Sequence, residues 1–403
     1  MKLFQKLLLA PVAIGFIAPI SANASETNLM DVSSYSQVDV EVTQDTFKPL
    51  STKNPLLAGG EGLGNNLSSD FDVDSFSPTT TASFSSNFVL GAVDGTADET
   101  TKFAVDYGID LSTSFNGNDS LDVALVAGNG GAQLADADLD TPSRLEVDSI
   151  SYTNQLGDKL TMFVNLGQSS SGSTLYASTC LYGGITDAMD DCGVANANLD
   201  ENFGSALGFR FDFTDSLSLS AAVEGQGLDK KGILSREGAD AVGAQIAYVT
   251  DNYGVSYAYA SIENHDTDNN LDTNVIAANG STRGLTTHSA ISAFYNPDID
   301  NFPSISVGFE SSHDDYPASD ADEKSHYFIG LQWDEVGNGS LGASFGSKEP
   351  YLENADTEMM YEVFYSYNYA DGITITPVMF VKEKAAADVS DETGFLLKGS
   401  FSF

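Results

Sequence analysis

The chain has 403 residues, enough for one large domain or two ordinary ones. Seventeen Lys and Arg stand against 58 Asp and Glu, a formal net charge of −41, so no basic face exists to track phosphates and ordinary nucleic-acid binding is excluded. Two cysteines exclude a disulfide-stapled small scaffold and a thiolate-rich metal site. With 17 Tyr and 24 Phe, the chain also differs from acidic disordered segments, which are poor in aromatics.

Residues 1–24 read as a secretory leader. Lys2 and Lys6 form its positive start, Leu7 to Ile20 its apolar stretch, and Ala22-Asn23-Ala24 its small-residue cleavage site. Removing both lysines takes the charge to about −43. Residues 25–79 are polar and irregular, an N-terminal periplasmic segment without a full domain; the Gly-rich AGGEGLG at 58–64 lacks the lysine and flanking elements of a phosphate loop.

From residue 80 onward, alternation of period two dominates. In TKFAVDYGIDLSTSF, the residues Phe103, Val105, Tyr107, Ile109, Leu111 and Phe115 share one face. Lys102, Asp106, Asp110 and Ser112 share the other, which predicts a strand with one apolar and one polar face. The pattern recurs to give sixteen predicted strands. They include Leu121, Val123 and Leu125; Leu207, Phe209 and Phe211; Tyr253, Val255, Tyr257 and Tyr259; Tyr361, Val363, Tyr365 and Tyr367; and a last strand ending at Phe403. Within 144–153 the phase reverses between Val147 and Ile150, which predicts a β-bulge or a slip of frame.

The connections fall into two classes by parity. Those at 116–120, 154–159, 214–216, 250–252, 296–302, 334–339 and 370–372 are short. Those at 94–101, 129–143, 168–204, 226–240, 263–286, 312–324, 347–358 and 383–392 are mostly longer. Short turns at one end and long loops at the other, with strands long enough to cross hydrocarbon at a tilt, predict an all-β, transmembrane antiparallel β-barrel over 80–403. A soluble β-sandwich needs only shorter strands, and lipid permits no open sheet edge, so the sheet must close.

Sixteen strands enclose more space than side chains fill. The polar face places Asp106, Asp110, Asp122, Glu146, Asp212, Glu224 and Glu362 inward, against Lys102, Arg210, Lys382 and Lys398. That excess of acids predicts a water-filled lumen that concentrates cations, a passive path for ions and small hydrophilic solutes. Enzyme chemistry fails on inventory: the four His, at 265, 288, 313 and 326, fall in no recognisable nucleophile motif, and no cofactor or metal set is legible.

Connection 168–204 is the longest and holds both cysteines, Cys180 and Cys192. Export favours a disulfide, which stabilises such a loop by ~3 kcal/mol; two cysteines with no nearby His make a poor metal site. The loop either caps the barrel outside or folds inward to narrow it. Folded inward, Asp187, Asp190 and Asp191 would face Arg144 or Arg210 and set a transverse field, and these five are the candidate constriction residues.

Several segments resemble the cyanobacterial outer-membrane porins, related to the OprB-type carbohydrate-selective porins. They are LLAGGEGLG at 56–64, FSPTTTASFSSNFVLGAV at 76–93, LSTSFNGNDSLDVALVAGN at 111–129, YEVFYSYNYADGITITPVMFV at 361–381 and GFLLKGSFSF at the end. The resemblance implies a passive diffusion channel in the outer-membrane lipid, a homotrimer of sixteen-strand barrels, and a third loop folded into the lumen. Carbohydrate preference and a structural barrel without an open channel are the competing readings. Many such porins carry a surface-layer-homology domain before the barrel; residues 25–79 are too few for one.

Overall fold

The computed structural model describes residues 80–403 apart from 97–98, 130–133, 135–136, 138, 140–141, 229–231, 236–238, 264–284, 298, 300, 315–322, 348–350, 353–356 and 385–389. The expectations for the leader and for residues 25–79 lie outside the described residues. The described chain is almost entirely strand: β1 Thr80–Asp94, β2 Lys102–Thr113, β3 Asp119–Gly128, β4 Glu146–Leu156, β5 Leu160–Gly167 and β6 Ser205–Asp212. There follow β7 Leu217–Gly225, β8 Asp240–Val249, β9 Tyr253–Glu263, β10 Leu285–Tyr295, β11 Ser304–Asp314 and β12 Glu323–Trp333. The last are β13 Gly339–Ser347, β14 Tyr351–Leu352, β15 Met359–Ala370, β16 Ile373–Lys382 and β17 Glu392–Ser402.

Each strand pairs antiparallel with its sequence neighbour, and β17 pairs with β1 from Ser85↔Ser402 to Asp94↔Thr393, so the sheet closes. The two-residue β14 only adds to β12 beyond the end of β13, which itself pairs with β15. The wall is therefore a closed barrel of sixteen strands, as the alternation predicts. Phe403 completes the seam by exchanging both backbone hydrogen bonds with Phe84.

Side-chain alternation decides what faces out. Phe88, Phe103, Val147, Leu207, Ile246, Tyr257 and Val363 are exposed on the outer face, while Ala104, Ala222, Gln245 and Ala260 on the inner face are buried. So much exposed apolar surface would be untenable in water and fits lipid. The predicted phase reversal in β4 is real. Ala124 pairs with Ser149 but Leu125 with Val147, so Asp148 is an extra residue, and both Val147 and Ile150 keep outward positions.

The short turns are built from local chemistry. The Asp119 carboxylate accepts from the Phe115 and Asn116 amides, each at 2.9 Å, and from the Ser114 and Tyr152 hydroxyls at 3.0 and 2.9 Å. Gly117 between them holds φ +85°, a left-handed conformation that a side chain disfavours.

Candidate functional site: a loop bound inside the barrel

Residues 168–204 leave β5, cross the inner wall and return to β6. The outbound leg bonds in turn to inward side chains of successive strands. Gly172 N–H donates to Glu224 Oε1 on β7 at 2.6 Å, and Ala177 N–H to Gln245 Oε1 on β8 at 2.7 Å. The Thr179 hydroxyl meets Ser256 on β9 at 2.7 Å and also Ser292 on β10. Leu181 N–H donates to Ser306 Oγ on β11 at 2.9 Å, and Gly183 N–H to Gln332 Oε1 on β12 at 2.8 Å. At the tip, Thr186 N–H and the Tyr182 hydroxyl reach Glu362 on β15 at 2.7 and 2.9 Å.

The return leg runs back along a second tier. Ala197 N–H and Asn196 Nδ2 donate to the two oxygens of Glu310 on β11, each at 2.9 Å, and Glu201 N–H returns to Glu224 at 3.3 Å. Ser306, which holds the outbound leg, lies nearer the short-turn end of β11 than Glu310, so the return leg lies toward the long-loop end. Cys180 and Cys192 are disulfide-bonded and tie one tier to the other.

Burial follows this path. Glu224, Glu310 and Glu362 are 0%, 2% and 1% exposed. Glu224 and Glu362 thus face inward, as the alternation requires, but they are sealed under the loop rather than lining water. Glu310, which the charge pattern left out, does the same work. Burial and the neighbouring Glu362 charge push the Tyr182 phenol well above its ordinary range, so it stays a donor.

The five candidate constriction residues separate. Asp187 and Asp190 are exposed at the loop tip, whereas Asp191 is half-buried and accepts from Gly193 N–H at 2.7 Å. Arg144 bonds Glu146, two residues along, at 2.5 Å, and Arg210 bonds Asp212 at 2.9 Å. Each arginine is thus bonded to a carboxylate two positions along the chain rather than to a loop acid. Arg210 instead borders a cavity of about 560 Å³ with Tyr176, Ser178, Asp215 and Asp251.

On the inner wall of β1–β3, Asp106 accepts from the Asn87 amide nitrogens at 2.8 and 2.9 Å, Asp122 accepts from Ser120 at 2.8 Å, and Asp110 is exposed. Lys102, Lys382 and Lys398 occupy inward positions, half-buried, with the Lys382 ammonium 5.6 Å from the Phe380 ring centre. The interior is not uniformly polar, however. Val89, Ala104, Phe328, Phe364, Phe380 and Leu396 form one apolar cluster with Leu134 and Leu139 of connection 129–143 and with Tyr182, Met189 and Cys192 of the long loop. Among the described residues, no group of three or more His, Cys, Asp or Glu is placed to hold a metal ion, and no helix is long and apolar enough to cross a membrane.

Burial chiefly, with the charges of Asp200, Glu310 and Asp187, pushes the Asp191 carboxyl up to about 6. An acid raised in the folded state favours that state when protonated: the benefit is complete below the ordinary carboxylate range and is lost as pH rises through 6. Allowing for its partial exposure, ~1 kcal/mol is at stake. Asp191→Asn should therefore flatten the dependence of loop stability on pH between 4 and 7; an unchanged slope in amide exchange across residues 187–200 would refute this.

No family model and no curated protein matches the chain. Solved structures do. Pseudomonas putida OprB aligns with a TM-score of 0.60 at 11% identity, over 81% of this chain and 94% of that one. A double mutant of the Rh. blastica porin aligns at 0.51 and 12% identity, over 80% and 100%. At such identities the likeness establishes architecture: the fold is a porin-like transmembrane barrel.

Proposed function

We propose that this chain is an outer-membrane porin of the cyanobacterial type, a non-enzymatic passive diffusion channel for ions and small hydrophilic solutes that prefers cations. The observation that carries the reading is the disulfide-tied loop hydrogen-bonded to the inner wall of a closed sixteen-strand barrel, an arrangement that narrows a lumen without contributing to the wall. Exposed Asp110, Asp187 and Asp190 supply the negative potential. In planar bilayers the purified protein should give discrete conductance steps; a barrel that never conducts would leave only the structural-protein reading.

Carbohydrate preference is the second reading. It draws on a cavity of about 590 Å³ bordered by Asn87, Asn338, Asn368, Thr374, Ser400 and Tyr369, amides and hydroxyls beside an aromatic ring, with Asp371 its one charge. Blockage of conductance by sugars tests it. A homotrimer accords with the outer face, where β4 and β5 expose aliphatic Val147, Ile150, Met162 and Val164 while β8 and β9 expose Tyr248, Tyr253, Tyr257 and Tyr259. Aromatic belts suit a lipid interface, and a mainly aliphatic face, on which Tyr152 is the one outward aromatic of β4 and β5, suits a neighbouring protomer.

A further inference from the structure

We propose that Glu224, Glu310 and Glu362 are the positioning residues that set the sieve of this channel: each is a buried wall carboxylate that holds one part of loop 168–204 in place, and none belongs to the ion path. The inference rests on the channel reading and assigns the residues on which its size cut-off depends.

The three acids stand on β7, β11 and β15 and catch the loop at its root, return leg and tip. Glu224 accepts from Gly172 N–H at the start of the loop and Glu201 N–H at its end, so one carboxylate closes both stems. Glu310 takes Ala197 N–H, Asn196 Nδ2 and, at 2.9 Å, His288 Nδ1. Glu362 takes Ile185 N–H at 3.2 Å, Thr186 N–H and the Tyr182 hydroxyl. The backbone N–H groups, the Asn196 amide and the Tyr182 hydroxyl all donate, as does His288 Nδ1 in the tautomer that carries its proton there, so an acceptor-only group satisfies all of them. A carboxylate offers about four lone-pair sites; a carboxamide turns two donors toward donors.

Such charge-assisted bonds are roughly twice as strong as neutral ones, and a buried carboxylate without them is strongly disfavoured. The acids therefore bind the loop, and the loop in turn is what lets the acids be buried. Their oxygens are spent on backbone and side-chain donors and covered on the lumen side by the loop itself. This separates them from Asp187 and Asp190, which are exposed and act on ions.

Glu362→Gln, Glu310→Gln and Glu224→Gln, singly and together, test the assignment in the full-length mature protein. Amide exchange at Gly172, Ile185, Thr186, Ala197 and Glu201 is read alongside single-channel recordings. Each variant should raise exchange at its own donors by about tenfold or more, the change expected when a charge-assisted bond is lost. An unchanged β-strand signal in circular dichroism should report that the wall is intact. In the recordings the variants should visit a wider open level and admit solutes the wild type excludes, with the reversal potential nearly unchanged. Tyr182→Phe, which removes one donor and no charge, should produce a milder form of the Glu362→Gln effect.

Unaltered exchange at those amides would overturn the assignment whether or not the protein conducts. Altered exchange with an unaltered size cut-off would overturn the sieving role. A wild type that never conducts, with exchange altered as expected, would reject the channel reading and the sieving role with it, leaving the anchoring of the loop established.

Discussion

Reversal potentials across a tenfold KCl gradient should show cation preference at low salt, fading as salt rises. Exposed charges act over about a Debye length, ~10 Å at 0.1 M and ~3 Å at 1 M. The acids proposed to act on ions are Asp187 and Asp190 near the loop tip and Asp110 on an inward position of β2, all exposed. Arg144 and Arg210 are each partly neutralised by a bonded acid, Glu146 and Asp212. Asp187→Asn with Asp190→Asn should therefore weaken selectivity most. Asp191→Asn should add little, because its carboxyl is half-buried and turned to Gly193 N–H. Neutralising Asp315, Asp320 and Asp322 of connection 312–324 supplies the comparison. Anion preference in the wild type would defeat the electrostatic reading altogether, and equal effects from the two sets would place the tip acids outside the conducting path.

The wall was legible because lipid on one side and water on the other write a period-two code. Phe103 and Val105 against Asp106 needed nothing beyond alternation, and the shift around Asp148 appeared in sequence as a change of phase. The interior was less legible, because inward polarity alone cannot distinguish an acid that lines water from one that binds a loop. Glu224 and Asp110 both sit on inward positions; the first is sealed and the second exposed. A usable signal was present all the same. From β7 to β11 many of the inward residues between the loop's anchors are small, among them Ser218, Ala222, Gly243, Ala258, Ser306 and Gly308. Small side chains let the loop lie on the backbone, so that a Cβ on Gly243 would come within 2.9 Å of Leu199 and one on Gly330 within 2.7 Å of Tyr182. A wall that faces only water has no such requirement. Inward Val89, Phe328 and Phe380 broke the polar pattern for a related reason: they pack on loop side chains, a neighbour that alternation along one strand does not report.

Opening the disulfide should loosen the tip and leave the barrel untouched. Cys192 is wholly buried and Cys180 partly so, and the bond joins the outbound leg beside Thr179 to the return leg beside Gly193. The closed segment carries Tyr182, Ile185 and Thr186, which meet Glu362, together with exposed Asp187 and Asp190. Loop-closure entropy puts the loss from Cys180→Ser with Cys192→Ser at ~3 kcal/mol. That loss falls on the tip, because the strands keep their own continuous ladder from β1 round to β17. The double variant should keep its β-strand signal in circular dichroism, show faster amide exchange across 181–191, and give noisier open-channel current. Added reductant should leave the folded wild type unchanged until it is denatured, since the sulfurs lie within the apolar cluster. Alkylation followed by mass spectrometry should find the native cysteines bonded; two freely alkylated thiols in protein taken from the envelope would refute the bond. Because Glu362 and the disulfide hold the same tip, combining Glu362→Gln with the double serine variant should release it by more than the two separate effects added together.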